Sequence, residues 1–286
     1  MKKDDLGNRM KDYEMRTRTY LPRRSNIIIR IDGKAFHSYT KGLNKPFDLG
    51  LMEDMAETTK YLCSKIQGAK FGYTQSDEIS ILITDYDTIK THVWFGGQIQ
   101  KIVSVAASMA TSKFNYLRLN RKFNLGTDCV DIIMDMFKLA EFDARVYTLP
   151  DKEEVLNYFI WRQQDASRNS VSMLAQSNFS HKQLQDKNTS QMQDMLMTEK
   201  GINWNNLQSV EKRGWGVLRR KQKWIRPKDN KSFKPFKISN DDCDVKDNEI
   251  LYERNAWVVD NNIPIFTKDR EYILDTLPIK NEIWKL

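Results

Sequence analysis

The sequence predicts an α+β fold, because β-branched runs alternate with a segment of helical periodicity along the first half of the chain. The run from Asn26 to Ile31 ends at an Asp-Gly turn, which is typical of a buried strand. From Leu49 to Ile66, apolar side chains recur at helical spacing behind Asp48, a suitable N-cap. Two further strand-like runs follow, from Lys70 to Thr74 and from Ile79 to Thr84. The predicted order is therefore strand, helix, strand, strand.

One more helix and one more strand complete the predicted core. The residues from Gly96 to Leu119 carry an apolar face with small side chains between the large ones, which indicates a helix packed on a sheet. Phe142 to Leu149 alternates in polarity and is followed by Pro150, so we predict a fourth strand there. Gln75 to Glu78 is predicted to be a hairpin loop with the acidic pair at its tip. The resulting βαββαβ order is the split βαβ unit of the ferredoxin-like type, with an antiparallel sheet.

This topology predicts that two distant carboxylates meet. The third strand lies between the first two and runs antiparallel to both, so Asp32 should lie beside Asp77. Converging carboxylates can hold a pair of Mg²⁺ ions, and such a pair stabilises the attacking and leaving oxygens of phosphoryl transfer. Gly33 could add its carbonyl, and the amides from Lys34 to His37 could face phosphate oxygens. Taken singly, an Asp-Gly turn and an acidic hairpin tip are ordinary solvated features.

Beyond Pro150 the sequence predicts an extension of helices and strands. We divide the chain into a catalytic core at residues 1–150 and an extension at 151–286 that packs on the core and contributes to RNA binding. The predicted helices are Asp151 to Trp161 and Ser190 to Thr198, and the predicted caps and loops include Gln164 to Ser170. An exposed excursion of the chain is predicted from Pro227 to Asp247. The predicted closing strands are Ala256 to Val259 and Ile263 to Phe266.

The charge of the chain indicates a polyanionic partner. Its 46 Lys and Arg residues against 38 Asp and Glu give a net charge of +8. The segment Lys212 to Arg226 holds seven basic residues, no acid, and the aromatic side chains Trp215 and Trp224, a composition suited to phosphate contacts with base stacking. An equally supported interpretation is an amphipathic strand pair with core tryptophans and solvated charges.

Cysteine usage and hydropathy predict a cytoplasmic protein. The three cysteines are far apart and have no spacing typical of zinc binding or of a disulfide framework, so we expect a reducing compartment. The segment Met1 to Arg24 lacks the apolar core of a signal peptide, and no window reaches membrane-spanning length. We therefore expect a soluble, intracellular chain without a membrane partner.

Several motifs in a shared order resemble the tRNA(His) guanylyltransferase family. The resemblance covers roughly Lys11 to Lys221, and its number of co-ordered motifs makes it specific. The matching strings are Ile31 to His37, Lys45 to Asp48, Gly72 to Ser80, Trp94 to Gly97 with Lys101 to Ser108, Phe142 to Arg145, Tyr158 to Asp165, and Gly201 to Trp204.

The resemblance implies a polymerase-palm-like fold and the addition of nucleotides to the 5′ end of tRNA, in the 3′–5′ direction. The end is first activated with ATP or GTP, and the 3′-hydroxyl of the incoming nucleoside triphosphate then attacks it. By similarity, Asp32, Asp77 and Glu78 are catalytic, and Asp32, Gly33 and Asp77 hold two Mg²⁺ ions. The implied nucleotide-binding residues are Lys34, Ala35, Phe36, His37, Lys45, Asp48 and Ser76, and the candidate tRNA contacts are Arg24, Lys101, Asn169, Arg213, Arg219 and Lys221. A homotetramer, a dimer of dimers, is the assembly that the resemblance implies.

One departure from the family pattern bears on specificity. The chain has Ser167-Arg168-Asn169-Ser170 where eukaryotic members carry His-Ile-Asn-Asn. In lacking this histidine, the sequence resembles the guanylyltransferase-like branch of the family. The members of that branch repair 5′-truncated tRNAs by template pairing. We therefore predict template-dependent repair, with addition of G at position −1 of tRNA(His) as the alternative. More distant hypotheses are a nucleotide cyclase and a non-catalytic RNA-binding module.

Overall fold

The computed structural model describes residues 4–124, 138–227, 236–237 and 249–278. The strands are β1 (Asn26–Gly33), β2 (Ala69–Gln75), β3 (Glu78–Thr84), β4 (Phe142–Leu149), β5 (Trp215–Pro227), β6 (Phe236–Lys237) and β7 (Glu249–Asp260). The helices are α1 (Asp5–Met15), α2 (Phe36–Tyr39), α3 (Leu49–Lys65), α4 (Ile99–Asn124), α5 (Lys152–Asn178), α6 (His181–Leu184), α7 (Thr189–Lys200), α8 (Ser209–Arg213) and α9 (Glu271–Leu274). Short 3₁₀ turns occupy Trp94–Gly97 and Trp204–Asn206.

The strands form one sheet in the order β4-β1-β3-β2-β5-β6, with β7 also paired to β5. Every pairing in it is antiparallel. β3 lies between β1 and β2, and Asp32 is directly opposite Glu78 in the register of β1 with β3. The predicted α+β class and the βαββαβ core are therefore confirmed.

The central strands are buried on both faces, which explains why their sequences are continuous apolar runs. Ile29 and Ile81 pack with α3 and α4 in one cluster, together with Met55 and Phe114. On the opposite face, Ile28 and Leu82 pack with Val155 and Phe159 of α5. The sheet is thus a layer between helices.

The predicted loop from Gln164 to Ser170 is wrong, because α5 continues through it as far as Asn178. Tertiary hydrogen bonds hold two of the polar side chains that indicated a loop, Ser167 and Ser170, and also that of Gln163 just before them. Ser167 Oγ donates to the carbonyl of Lys212 at 3.1 Å. The Gln163 side chain donates to the carbonyl of Pro264 at 2.8 Å and accepts from the amide of Phe266 at 2.9 Å. Trp204 Nε1 donates to Ser170 Oγ at 3.0 Å. A single-sequence pattern contains none of these partners.

The C-terminal strands also differ from their prediction. Ala256 to Val259 belongs to the longer strand β7. Ile263 to Phe266 is not a strand, because the backbone groups of Pro264 and Phe266 form hydrogen bonds with the side chain of Gln163 in α5. Most of the predicted excursion from Pro227 to Asp247 lies outside the described residues. Within the part of the chain that the structure describes, no helix has the length and apolar character needed to cross a membrane.

A close approach of α3 to the sheet at Gly72 gives a test of the packing. A Cβ atom there would lie 2.6 Å from Cys63 Sγ and 2.9 Å from Thr59 Cγ2. We expect Gly72→Ala to lower the free energy of unfolding by about 1–3 kcal/mol, measured by denaturant titration, because the added methyl overpacks the interface. In a Cys63→Ala background the same change should cost less, and equal costs in both backgrounds would contradict this account.

Candidate active site at the carboxylate edge of the sheet

The structure brings Asp32 and Asp77 together at one edge of the sheet. Asp32 is the penultimate residue of β1, and Asp77 lies in the two-residue turn between β2 and β3. The amide of Gly33 donates to the carbonyl oxygen of Asp77 at 3.1 Å, which joins the two segments directly. Ser76 adopts a left-handed conformation with φ of 51°, and its Oγ donates to Asp77 Oδ1 at 2.9 Å. The turn is shorter than predicted, since Glu78 already belongs to β3.

The negative charges of this pair are poorly neutralised. Burial raises the pKa of Asp77, the nearby charge of Asp32 raises it further, and the hydrogen bond from Ser76 opposes both effects. Within the part of the chain that the structure describes, Asp32 forms a long ion pair with Arg145, whose Nη2 lies 3.9 Å from Oδ2. Anionic oxygens without close cations fit a hard divalent cation. No three His, Cys, Asp or Glu side chains among the described residues converge as a metal cluster.

Glu78 differs from the two aspartates, because its charge is neutralised within the protein. Its side chain is buried and accepts from Arg30 Nη2 at 2.6 Å and from Arg162 Nη2 at 2.7 Å. Arg162 Nε also lies 2.7 Å from Oε1, so this guanidinium contacts both oxygens. Burial raises the pKa of Glu78 against the opposing effects of Arg162 and Arg30. The carboxylate anchors β3 to α5 immediately beside Asp77.

The turn after Asp32 is held by an aromatic side chain packed beneath it. A Cβ atom on Gly33 would lie 2.2 Å from the ring of Phe36, so only glycine fits this position. The Phe36 ring is buried against Tyr39, Phe114 and Phe142, with centroid distances of 4.9, 5.8 and 5.1 Å. Phe36, which the resemblance implies to be a nucleotide-binding residue, therefore supports the turn with its side chain from within the core.

The other residues of this turn reach the surface. Ala35 and His37 are exposed, and Ala35 is left-handed with φ of 53°. The amide of Lys34 donates to the carbonyl of Glu141 at 2.8 Å, while its Nζ lies 2.6 Å from the Glu141 carboxylate. The Lys34 amide is thus already bonded, whereas the leading amides of α2 have no partner within the helix.

A cleft next to the carboxylates collects residues from distant parts of the sequence. Asp48, Ser76 and Asn169 line it together with side chains that the sequence had not indicated. The lining residues that the sequence had not indicated include Met52, Met55 and Met173, and the cleft is also lined by Lys212 and Trp215 of the predicted basic segment. Asp48 also caps α3, since its Oδ1 accepts from the amide of Leu51 at 2.7 Å. Lys45 is exposed in the loop that precedes this cap.

The candidate tRNA contacts lie in three separate places. Asn169 lies in the cleft, and Arg213 ends α8 just before β5. Arg24 and Lys101 lie at the opposite end of β1, which runs roughly 20 Å from Asn26 to Asp32 at about 3.3 Å per residue. The remaining candidates, Arg219 and Lys221, are exposed on the outer part of β5, where the Arg219 guanidinium lies 5.1 Å from the centre of the Trp257 ring.

The segment Lys212 to Arg226 was interpreted either as an RNA-binding surface or as an amphipathic strand pair with core tryptophans, and each interpretation describes part of it. Trp215 is half-buried and lines the cleft, whereas Trp224 is half-buried under the guanidinium of Arg254, 4.5 Å from its ring centre.

Sequence reasoning also missed Asp143, which lies opposite Asp32 in the pairing of β1 with β4. Its signal was present in the Phe-Asp-Ala-Arg string that carried the resemblance.

Comparison with known proteins places the chain in a family. The sequence profile described as Thg1, tRNAHis guanylyltransferase, matches residues 7–150, half of the chain. The chain belongs to the tRNA(His) guanylyltransferase family. It is therefore a nucleotidyltransferase. The tRNA(His) guanylyltransferase of Debaryomyces hansenii is 27% identical over 205 residues, covering 68% of this chain and 73% of the relative. An uncharacterised protein of Acanthamoeba polyphaga mimivirus is 30% identical over 235 residues, covering 77% and 78%.

Solved structures of family members share the fold of this nucleotidyltransferase. A bacterial tRNA(His) guanylyltransferase (Thg1)-like protein in complex with ATP is 46% identical, with a TM-score of 0.76 over 97% of this chain and all of that one. The complex of such a protein with GTP is 43% identical, with a TM-score of 0.70 over 96% and 99%. The Saccharomyces cerevisiae enzyme, at 23% identity and a TM-score of 0.58 over 72% and 91%, shares the fold alone. The predicted palm-like fold is confirmed.

Proposed function

We propose that this chain adds nucleotides in the 3′–5′ direction to the 5′ end of tRNA and that it carries out template-dependent repair. The observation that carries the catalytic part is the poorly neutralised pair Asp32 and Asp77 beside an open cleft. Repair is favoured by the absence of histidine at the position of Ser167, whose Oγ instead donates to the carbonyl of Lys212 at 3.1 Å. The 46% identity to a bacterial guanylyltransferase-like protein supports the same branch.

Asp32, Asp77 and the carbonyl of Gly33 would hold two Mg²⁺ ions. When bound, the ions supply positive charge against the attacking and leaving oxygens of phosphoryl transfer. The leading amides of α2, with Lys34, Ala35, His37 and Lys45 around them, would bind the triphosphate, and Phe36 would hold their turn in place. Glu78 would keep Asp77 in position through its bonds to Arg30 and Arg162.

The cleft would receive the base of ATP, GTP or another nucleoside triphosphate. Asp48, Ser76 and Asn169 offer polar atoms along its wall, while the methionines and Trp215 offer an apolar surface. The bacterial relatives were solved with ATP and with GTP, which supports a site for either purine nucleotide.

A long RNA substrate suits the distribution of the basic residues. Arg24 and Lys101 lie at the opposite end of β1 from the carboxylates, and Arg213, Arg219 and Lys221 follow α8 and β5. We assign catalysis to residues 1–150 and part of the tRNA contact surface to residues 151–286, in a cytoplasmic homotetramer. The sheet crosses that boundary, since β2 pairs with β5.

The repair hypothesis predicts the products of a direct assay. The protein is incubated with Mg²⁺, the four nucleoside triphosphates and 5′-truncated tRNAs of several identities. We expect extension that stops where the template strand ends. Extension restricted to tRNA(His), or addition of G without a template C, would favour the guanylyltransferase alternative. Cyclic nucleotide formed without RNA would favour a cyclase, and RNA binding without any product would favour a binding module.

Asn169 provides a test of the cleft as a nucleotide site. Within the described residues its exposed side-chain amide forms no hydrogen bond, so it is available to a ligand. We expect Asn169→Ala to raise the KM for the nucleoside triphosphate about three- to tenfold with little change in kcat, as for the loss of one hydrogen bond. Asn157→Ala, on an exposed part of the same helix, is the matched control. An unchanged KM would remove Asn169 from the site.

A further inference from the structure

The face of the sheet that carries Asp32 is open beside α5. In the pairing of β1 with β4, Arg30 is opposite Arg145 and Asp32 is opposite Asp143, so these four side chains project from one face. The side chains of Arg145 and Asp143 are 57% and 58% exposed, and that of Asp32 is 32% exposed. A basic row therefore lies next to an acidic row on an accessible surface.

The two arginines of the basic row are not equivalent. Like charges directly opposite each other on neighbouring strands destabilise a sheet, so a pair of arginines calls for compensation. Arg30 is compensated, since its Nη2 lies 2.6 Å from Glu78. Among the described residues, the ion-pair contacts of Arg145 are longer, at 3.6 Å from Asp143 and 3.9 Å from Asp32. Its guanidinium donors are therefore available for an anion.

An exposed aromatic ring borders the same surface. Trp161 of α5 is 46% exposed, although three neighbouring side chains contact its ring. The guanidinium of Arg162 lies 4.3 Å from its ring centre, that of Arg30 lies at 5.9 Å, and the ring of Tyr158 meets it at a centroid distance of 5.9 Å. The ring is thus held in place by its neighbours while keeping an accessible surface.

We propose that Arg145 and Trp161 bind the 5′-phosphorylated end of the RNA substrate. Arg145 binds the terminal phosphate, because a guanidinium presents paired donors that match phosphate oxygens. Trp161 stacks on the terminal base, which a fixed aromatic ring can do whatever the sequence of the RNA. Binding there brings the phosphate next to Asp32, on the catalytic edge of the sheet. The inference rests on the proposed function and adds to it the residues that recognise the RNA end.

The test compares two forms of one 5′-truncated tRNA, with a 5′-monophosphate and with a 5′-hydroxyl, by equilibrium binding without nucleotide or divalent metal. The native chain should bind the phosphorylated form roughly tenfold more tightly, as expected for charge-assisted hydrogen bonds. Arg145→Ala should bring the ratio close to one, and Arg145→Lys should give an intermediate ratio. Trp161→Ala should weaken both forms equally, whereas Trp161→Phe should retain most of the affinity.

Arg270→Ala is the matched control, since Arg270 is exposed before α9 and the change removes the same charge. It should keep the native ratio. The inference is overturned if the native chain shows no preference for the phosphate, if Arg145→Ala retains the preference, or if Arg270→Ala loses as much of it. The proposed function fails separately, if the native chain with Mg²⁺ and nucleotides extends no RNA.

Discussion

Asp77→Asn should lower the rate of nucleotide addition by about three orders of magnitude without unfolding the protein. An asparagine has nearly the same shape as the aspartate, but it cannot supply the negative charge that a divalent cation requires. Metal-based stabilisation of a phosphoryl-transfer transition state is worth several kcal/mol, and about 4 kcal/mol corresponds to a factor of ~10³. The measurement is single-turnover extension of a 5′-truncated tRNA at saturating nucleotide.

The stability of the same variant separates a catalytic loss from a structural one. Burial and the charge of Asp32 raise the pKa of Asp77, so the ionised form of Asp77 is less favourable in the folded protein than in the unfolded chain. In the absence of metal, Asp77→Asn should therefore have a Tm equal to or above that of the native chain. Asp194→Asn, at an exposed position of α7, should alter neither rate nor Tm. A normal rate in Asp77→Asn, or a loss explained by unfolding, would contradict the assignment.

The meeting of Asp32 and Asp77 was predictable because it follows from local patterns and a topological rule. The strands β1 and β3 are largely apolar and buried, and the βαββαβ order places the third strand between the first two. The boundaries of β4 were also predicted, since alternation ends at a proline there. In these parts of the chain, propensity and tertiary structure agree.

Features that depend on distant partners could not be predicted in this way. Glu78 looked like an accessible acid of a hairpin tip, yet its partners Arg30 and Arg162 lie 48 and 84 positions away in the sequence. The ring of Phe36 belongs to the core because Phe114 and Phe142 enclose it. The cleft has walls from α3, α5 and α8, and periodicity within one segment carries no information about such an arrangement.

Arg162→Ala should lower the free energy of unfolding by about 3–5 kcal/mol. The change leaves the buried carboxylate of Glu78 without its two-oxygen contact and with Arg30 as its neighbouring cation, and a buried charge that loses such a partner is strongly destabilising. Denaturant titration gives the value directly. The exposed pair Arg168 and Asp165 provides the contrast, since Arg168→Ala should cost less than about 1 kcal/mol in the same protein.

A double-mutant cycle then tests what the Glu78 ion pair does for the site. Glu78→Gln with Arg162→Ala should cost less than the sum of the single changes, because the charge that Arg162 neutralises has been removed. If the contact also keeps Asp77 in place, both single variants should add nucleotides more slowly, but with a smaller loss than Asp77→Asn. Arg162→Ala within 1 kcal/mol of the native stability would mean that Arg30 alone neutralises Glu78. The anchoring role assigned to the contact with α5 would then be wrong.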